Sequence, residues 1–356
     1  MREPLVEIKD LHVHFEVRDG TVKAIQGATF NIFRGQTTGV IGESGCGKSV
    51  TAKAIMQMIP KPGKIAEGQI LYHHRDKHNP SQEEIINISK LDPDGPRIRR
   101  IRGGEIGMIF QEPMSSLTPV YTSGYQIGEA LNLHRLIPRK IGDEMSENIM
   151  QNRHVTKREA REISVDILRR VGLPKPDERV DSYPHQLSGG QRQRVMIAIA
   201  LSCDPVLLIA DEPTTALDVS IEAQILDLMR DLQEREDMAI MFITHNLGVV
   251  AEMAEDIIVM YMGKQVERAS AVEIFYEPKH PYTKALLKSI PHVGKREKQR
   301  LASISGMVPS PFELPSGCVF HPRCPSYMPG KCDDIEPTWQ SVNGDHWVSC
   351  LLYEEV

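Results

Sequence analysis

The glycine-rich stretch Gly42–Ser49, GESGCGKS, constrains the fold of this chain more than any other stretch. An apolar run at Thr38–Ile41 precedes it and is typical of a buried strand, and a run rich in Ala, Ile and Met follows it and predicts a helix. In such a strand–loop–helix context the loop N–H groups point inward at phosphate oxygens, and the helix N-terminus adds its positive dipole end. The sequence therefore predicts a phosphate site at the end of a buried strand in an α/β fold.

The residue types of this loop suit a nucleotide. The glycines let the backbone curl, Lys48 is predicted to reach the β- and γ-phosphates, and the Ser49 hydroxyl is predicted to bind Mg²⁺. The alternative is a glycine-rich turn that merely precedes a helix. The candidate nucleotide ligands are Gly42, Glu43, Ser44, Gly45, Cys46, Gly47, Lys48, Ser49 and Val50.

Composition and charge limit the function classes. The 356 residues are 40% hydrophobic and 25% charged, as in an ordinary globular protein of two or three domains. With 42 Lys and Arg against 48 Asp and Glu, the net charge of −6 argues against nucleic acid as the main partner. The sequence has no run of 18 apolar residues and no signal-peptide core at its N-terminus. We therefore expect a protein that starts in the cytoplasm and does not itself span a membrane.

Hydrophobic periodicity divides the chain into four predicted regions. Residues 5–33 alternate in short β-like pieces and predict an antiparallel flap, residues 74–104 predict a polar surface insertion, and residues from about 118 to 174 have helical spacing. Later strands that alternate with helices, such as Ala239–Thr244, predict a parallel sheet. From about Ser270 the content of Pro, Cys and aromatic residues indicates an appended, irregular region. The predicted regions are residues 1–111 (flap and first half of the core), 112–185 (helical subdomain), 186–269 (second half of the core) and 270–356 (C-terminal region).

An acidic pair follows a second buried strand. The apolar run Val206–Ala210 ends at Asp211, which is expected to lie at the edge of the sheet and to hold Mg²⁺, through water. Glu212 comes next and is expected to point the other way in an extended chain, where its carboxylate can orient or deprotonate an attacking water. The alternative is a solvated helix cap, but the phosphate loop upstream favours the catalytic interpretation.

A second candidate anion site lies at Leu187–Gln191, LSGGQ, before an almost wholly apolar helix. Ser188, Gly189, Gly190 and Gln191 open this helix and present N–H groups to an anion. Because one nucleotide needs only one phosphate loop, we infer that this second site serves a nucleotide held by another subunit. The alternative is a serine-capped helix packed in the core.

Taken together, these motifs resemble the nucleotide-binding subunit of ABC transporters. That resemblance implies a P-loop ABC ATPase with a RecA-like core, an antiparallel β flap and an inserted helical subdomain, together with Mg²⁺-dependent ATP hydrolysis. One departure is Val50, which stands where many members have Thr, so that only its backbone can serve the α-phosphate. The motifs are Walker A at Gly42–Ser49, the Q-loop Gln111, the signature at Leu187–Gln191, Walker B ending at Asp211 and Glu212, the D-loop at Ala216–Asp218, and the switch histidine His245.

The same resemblance implies specific roles. Two subunits would form a head-to-tail dimer that traps two ATP molecules, each between the Walker A loop of one subunit and the signature of the other, so that Ser188 and Gly190 act in trans. Gln111 would sense Mg²⁺ and the γ-phosphate, and His245 would contact the γ-phosphate and hold Glu212 in place. An aromatic residue of the flap should stack on adenine. Phe15 is the candidate, with an ordinary core residue as the alternative. The implied catalytic residues are Lys48, Gln111, Glu212 and His245, with Asp218 as a further ligand of the nucleotide and with Ser49, Gln111 and Asp211 at the Mg²⁺.

Two later stretches, Glu277–Leu286 and Gly317–Pro325, resemble the ATPases of dipeptide, oligopeptide and nickel importers. This implies a peripheral protein on the cytoplasmic face of the membrane that powers peptide import with two membrane permeases. An extracytoplasmic peptide-binding protein and a second ATPase subunit, identical or different, would complete the system. The alternatives are a nickel importer ATPase, a soluble ABC ATPase without a permease, and a metal-binding regulatory protein.

Four cysteines crowd into the last 39 residues, namely Cys318, Cys324, Cys332 and Cys350. Four thiolates can hold a tetrahedral zinc or a [4Fe–4S] cluster, but the close cysteine pair usual in zinc sites is absent. The family resemblance implies the [4Fe–4S] cluster, with Zn²⁺ as the alternative and free or disulfide-bonded thiols as the remaining one. The nearby His321 and His346 are spare ligands or, as we expect, exposed surface histidines.

Overall fold

The computed structural model describes residues 3–76, 79–111, 116–134, 157–215, 217–289, 304 and 306–354. The chain forms two compact units, one made of Met1–Pro93 with Ala239–Val356 and the other of Asp94–Met238. The predicted division into four regions stays a prediction. In the described part of the chain, no helix is long and apolar enough to cross a membrane.

The first unit contains two stretches of secondary structure separated in sequence by the second unit. Its N-terminal elements are β1 (Pro4–Val17), β2 (Gly20–Phe33), β3 (Thr37–Ile41), α1 (Lys48–Ile55), β4 (Gly63–Asp76) and β5 (Asn79–Asn87). The second unit supplies α2 (Pro96–Gly104), β6 (Ile106–Ile109), α3 (Ser123–His134), α4 (Lys157–Arg170), α5 (Pro176–Arg179), α6 (Gly189–Leu201), β7 (Leu207–Asp211) and α7 (Val219–Glu236). The first unit then continues with β8 (Ala239–Ile243), α8 (Leu247–Met253), β9 (Asp256–Tyr261), β10 (Lys264–Ser270), α9 (Ala271–Tyr276), α10 (Pro281–Lys288), β11 (Gln340–Asn343) and β12 (His346–Val348).

An antiparallel sheet in the order β2-β1-β4-β5 forms the predicted flap. The prediction of a surface insertion at residues 74–104 was wrong, because β4 continues to Asp76 and pairs with β5. Four of the five isoleucines in this stretch are buried, with Ile88 and Ile98 at 0% exposure, whereas Ile85 is 57% exposed. Enough apolar residues alternate with the polar ones to bury one face while the charged side chains stay in solvent.

The other sheet of the first unit is mixed, in the order β11-β12-β10-β9-β3-β8. β3 pairs in parallel with β8 and β9, which confirms the predicted parallel core. All five residues of β3 are buried, as expected for a strand covered on both faces. The phosphate loop starts where this strand ends.

The C-terminal region is part of this unit's core, so the expectation of an appended region was wrong, whereas residues 306–339 are irregular as predicted. β12 pairs with β10 in register, with Glu267 opposite Val348. Phe320 is fully buried and packs edge-on against Tyr261 and Tyr282, at ring distances of 5.2 and 5.4 Å. The aromatic residues that mark the compositional change therefore supply a hydrophobic cluster for the strands.

In the second unit, β6 and β7 pair in parallel, with Ile106 opposite Leu207. The predicted helix Arg158–Val171 is present as α4, and the chain turns after it at Gly172, where φ is +67°. Residues 112–115 and 135–156 of the predicted helical subdomain lie outside the described residues.

Candidate nucleotide site

The loop between β3 and α1 has the strand–loop–helix arrangement that the sequence predicts. Gly42, Gly45 and Gly47 have φ values of +151°, +80° and +102°, which L side chains rarely adopt. A Cβ on Gly42 would clash with the carbonyl oxygen of Met260 and lie 2.6 Å from the Cys46 sulfur. The loop therefore closes on a neighbouring strand so tightly that its first position excludes a side chain.

The Lys48 side chain folds back onto the start of this loop. Its side chain is buried, and its Nζ donates to the carbonyl oxygens of Gly42 at 2.8 Å and Glu43 at 3.0 Å. The Cys46 thiol is 3.7 Å from the same nitrogen, and burial raises the pKa of that thiol. The ammonium group is thus held at the loop, while the contact with phosphate stays a prediction.

The remaining residues of the loop are either exposed to solvent or form the first turn of α1. Ser44 and Gly45 are exposed, and Ser49 and Val50 are half-buried in the first turn of α1. Sequence reasoning missed Thr51, which is fully buried and whose hydroxyl donates to the carbonyl oxygen of Gly47 at 3.0 Å. A hydroxyl in the first turn of the helix was the pattern that could have identified it.

Sequence reasoning also missed two C-terminal residues that contact Glu43. Arg323 donates to both carboxylate oxygens of Glu43, at 2.6 and 3.0 Å, and the Tyr282 hydroxyl accepts the Glu43 N–H at 2.8 Å. Glu277–Leu286 and Gly317–Pro325 were singled out only for their family resemblance. The structure brings one residue of each stretch to the phosphate loop.

In the second unit, β7 ends at the buried Asp211 and places Glu212 directly after it. The expectation of an extended chain here was wrong, because Glu212 has φ of +49°. A non-glycine residue in this region stores about 1 kcal/mol or more of strain, and such residues cluster at functional sites. Because of this turn, the Glu212 side chain does not follow the alternation of side chains between the two faces of the strand.

The Glu212 carboxylate is oriented by two donors. Gln111 Nε2 donates to its Oε2 at 2.9 Å, and the Thr215 hydroxyl donates to the same oxygen at 3.0 Å. The structure thus brings together two residues predicted separately from the sequence. Thr215 was missed, although a hydroxyl three residues after an acid is a local pattern that could have pointed to it.

The start of α6 is closed by its own residues. Ser188 Oγ accepts the Gln191 N–H at 3.3 Å, and Gln191 Oε1 accepts the Ser188 N–H at 3.1 Å, which is a capping box. Ser188 and Gly189 are exposed, whereas Gly190 is buried against Ile221. The helix is capped by serine and its body is packed in the core, while its first residues face solvent. Its role as an anion site in trans stays a prediction.

The roles of three further candidates, His245, Asp218 and Phe15, stay predictions. His245 is exposed two residues before α8, and Asp218 is exposed directly before α7. Phe15 is half-buried on β1, and its ring covers Gly63, where an added Cβ would lie 2.5 Å from the ring. Ala216 of the D-loop lies outside the described residues.

The four C-terminal cysteines lie within electrostatic range of one another. Burial first, and the neighbouring thiols to a smaller extent, raise the pKa of Cys318 and Cys324, and raise that of Cys350 to about 12. The Cys318 N–H donates to the Cys332 carbonyl oxygen at 2.8 Å. Yet among the described residues no three His, Cys, Asp or Glu side chains lie close enough to hold a metal ion. The thiols match a metal centre in chemistry, but this arrangement does not fit one.

The expectation of exposed histidines was wrong for His346. Its side chain is buried, and its Nε2 lies 2.7 Å from Oε1 of Glu267, which is itself fully buried. A buried carboxylate requires hydrogen-bond partners, and His346 is one of them. His321 is half-buried, with Nδ1 3.0 Å from the Cys318 carbonyl oxygen.

Comparisons with known proteins agree with this geometry. Residues 25–215 match the family model described as ABC transporter, and residues 266–332 match the oligopeptide/dipeptide transporter, C-terminal region. The dipeptide transport ATP-binding protein DppD of Bacillus subtilis is 42% identical over 99% of this chain and 96% of its own length. The oligopeptide transport ATP-binding protein AppD of the same organism is 44% identical over 99% and 97%.

Solved structures give the same result. A bacterial ABC transporter cassette whose structure is dimeric is 27% identical, with a TM-score of 0.58 over 75% of this chain and 98% of that one. A second structure of a dimeric cassette, in a post-hydrolysis state with ADP and Pi bound, is 26% identical with a TM-score of 0.58 over the same 75% and 98%.

The fold and the phosphate loop, with these matches, define an ABC ATPase, an α/β protein with a mixed sheet that binds and hydrolyses ATP. The chain belongs to the family of ATP-binding subunits of peptide and dipeptide ABC transporters. The resemblance inferred from the motifs is thereby confirmed at this level.

Proposed function

We propose that this chain powers the import of dipeptides or oligopeptides by hydrolysing ATP on the cytoplasmic face of a membrane. It would act with two permease subunits, a second ATPase subunit and, indirectly, an extracytoplasmic peptide-binding protein. The relatives named for dipeptide and oligopeptide transport and the match of residues 266–332 support this cargo.

The observation that carries the catalytic part is the orientation of Glu212 by Gln111 and Thr215. Two donors fix the orientation of the carboxylate, and a carboxylate held in this way can orient the attacking water or accept its proton. The strained backbone holds the carboxylate directly after the buried Asp211. This is the arrangement expected of a general base or of a residue that orients water.

The phosphate loop supplies the positive charge. Lys48 and the loop N–H groups would stabilise the charge on the phosphates, and Ser49 and Asp211 offer the oxygen ligands that Mg²⁺ prefers. When bound, Mg²⁺ neutralises phosphate charge during the transfer. His245 would contact the γ-phosphate, and Phe15 would stack on adenine.

The signature residues Ser188–Gln191 would complete the site of a partner subunit. The exposure of Ser188 and Gly189 at the start of α6 supports this, because an anion brought by another chain can approach an exposed helix N-terminus. The dimeric structures of similar cassettes support the same arrangement.

Glu212→Gln tests the catalytic assignment. We expect ATP turnover to fall by about 100-fold or more, because the amide cannot accept a proton, while ATP binding is retained. The matched control is Glu162→Gln, which changes an exposed carboxylate on α4 in the same unit. Near-normal turnover by Glu212→Gln would exclude Glu212 as the base and leave the phosphate loop assignment intact.

Transport by reconstituted vesicles tests the cargo. The vesicles would contain the permeases and both ATPase subunits, and uptake of labelled dipeptide and of labelled nickel would be measured in parallel. Dipeptide uptake that depends on ATP is the expected result. Uptake of nickel alone would replace the peptide assignment with the nickel alternative.

A separate hypothesis is that Cys318, Cys324, Cys332 and Cys350 bind a [4Fe–4S] cluster, with Zn²⁺ as the alternative. The donor chemistry of four cysteines supports it, whereas the described side chains are not arranged as a metal site. Iron, acid-labile sulfide and zinc would be measured after anaerobic purification. About four irons and four sulfides per chain support the cluster. One zinc without iron selects the alternative, and the absence of all three excludes both.

A further inference from the structure

We propose that the C-terminal region positions the phosphate loop for ATP through Arg323 and Tyr282, which hold Glu43 at two places. Both are positioning residues, because they act on the nucleotide only through Glu43. The proposal rests on the assignment of Gly42–Ser49 as the ATP site.

The first contact is an ion pair between Glu43 and Arg323, which are 280 residues apart in sequence. Both guanidinium Nη atoms donate to the carboxylate, at 2.6 and 3.0 Å, and this bidentate geometry is both strong and directional. The Arg323 side chain is 3% exposed and that of Glu43 26% exposed, so water screens the pair little on the arginine side. The Tyr261 hydroxyl accepts a further hydrogen bond from Arg323 Nη1 at 3.3 Å.

The second contact is the hydrogen bond from the Glu43 N–H to the hydroxyl of Tyr282, at 2.8 Å. Tyr282 is fully buried in the first turn of α10. Its own N–H donates to Nδ1 of His280, at 3.0 Å. The buried Glu267 carboxylate accepts the N–H groups of Lys279 at 2.6 Å and His280 at 3.0 Å. Tyr282 is therefore held by a buried polar network and not by packing alone.

Glu43 links these contacts to the lysine of the loop. Its carbonyl oxygen accepts the hydrogen bond from Lys48 Nζ at 3.0 Å. The C-terminal region thus fixes the side chain and the N–H of the same residue whose carbonyl oxygen orients Lys48. Release of Glu43 would allow the loop more conformations, and ATP would then have to order it on binding.

The charge of Arg323 should favour ATP binding, as the ordering of the loop does. Glu43 carries a negative charge in a loop built for phosphate, and Arg323 compensates for it. Without Arg323 the carboxylate would repel the phosphates as well as move. Both effects weaken ATP binding, whereas neither acts on Glu212 and its attacking water.

The test compares Arg323→Met, Arg323→Lys and Tyr282→Phe with the unchanged full chain. The dissociation constant for a fluorescent ATP analogue and the KM and kcat for ATP hydrolysis would be measured. We expect Arg323→Met to raise the dissociation constant and KM by about 10-fold to 100-fold, because a charged bidentate contact is lost. kcat at saturating ATP should change by less than about threefold, since the contact acts on binding. Arg323→Lys keeps one donor and should restore part of the affinity.

A double variant shows whether Arg323 acts through Glu43. If it does, Arg323→Met with Glu43→Gln should bind ATP no more weakly than Arg323→Met alone. Full additivity of the two single effects would contradict the proposal. The matched control is Arg268→Met, which breaks a partly buried ion pair with Asp256 (3.0 Å), and Asp256 lies opposite Thr38 at the end of β3 farther from the loop. Its ATP affinity should stay unchanged.

Lys48→Ala separates this proposal from the assignment of the loop. If Lys48→Ala loses ATP binding while Arg323→Met and Tyr282→Phe bind like the unchanged chain, the positioning role is wrong and the phosphate site stands. If Lys48→Ala itself binds and hydrolyses ATP normally, the phosphate site is wrong. Should Arg323→Met fail to fold, Tyr282→Phe decides alone, because it removes one hydroxyl, with about a threefold to tenfold loss of affinity expected.

Discussion

The phosphate loop and the start of the signature helix are both proposed anion sites, yet they are held in opposite ways. The loop depends on distant residues, since Glu43 is fixed by Tyr282 and Arg323, which lie 239 and 280 residues away in sequence. The signature start depends on itself, since Ser188 and Gln191 cap each other three residues apart. The first is a tertiary structure and the second a local one.

This difference fits the two proposed roles. A loop that binds ATP within its own subunit gains affinity from being ordered in advance by the surrounding fold. A helix start that completes the site of another subunit must remain exposed, and a local cap stabilises it without covering it. The C-terminal region, present in this importer family, then serves the first site and not the second.

Glycine substitution in the phosphate loop should have the largest effect. In Gly42→Ala the added Cβ would clash with the Met260 carbonyl oxygen, and the alanine would have to adopt a φ of +151°. We therefore expect ATP affinity to fall by more than about 100-fold. Gly45→Ala is the matched control, because no atom lies within 4 Å of its Cβ and only the backbone strain remains, about 1 kcal/mol. Fluorescent-nucleotide binding distinguishes them. Equal affinities would mean that the fold does not constrain the loop.

Acid should weaken the unit that holds the phosphate loop. Burial lowers the pKa of His280 to about 4, below the value of about 6.5 in an unfolded chain. Between these values the unfolded state binds the extra proton, so stability is lost as pH falls from about 6.5 to 4, by up to about 3 kcal/mol. His280→Asn keeps an acceptor at the N-cap of α10 but does not titrate. Urea unfolding at pH 7 and pH 4.5 should show the smaller pH effect in the variant, and identical pH dependence would contradict the assignment.

Alanine substitution of the two signature glycines should have smaller effects than Gly42→Ala, and the two substitutions should affect different properties. Gly189→Ala has free space around its Cβ, so the fold and ATP binding should be unchanged, while turnover of the assembled dimer falls by about tenfold if the residue faces a partner's phosphate. In Gly190→Ala the Cβ would lie 2.8 Å from Ile221 Cγ2, so we expect a loss of about 1–3 kcal/mol in stability. Urea unfolding and ATPase assays separate the two effects. Normal dimer turnover by Gly189→Ala would remove the case for action in trans.

The sequence by itself determined those parts of the site that local patterns specify. The pattern of Gly42–Ser49 predicted a loop between a buried strand and a helix. Within eight residues, the glycines allow the curled backbone, and the lysine and serine stand at the spacing that a phosphate site requires. The capping residues Ser188 and Gln191 were equally local. So was the end of a buried strand at Asp211, although the left-handed turn at Glu212 was not foreseen.

Only the tertiary structure decided which distant residues meet. The hydrogen bond between Gln111 and Glu212, the pairing of His346 with the buried Glu267, and the ion pair between Glu43 and Arg323 join residues 79 to 280 positions apart. Periodicity reports which face of an element is buried, but it does not report which polar partner lies across that face. From the sequence alone, a polar or aromatic residue in a proline-rich C-terminal stretch is therefore expected at the surface. Tyr282 and Arg323 are buried because the tertiary fold packs other elements against them.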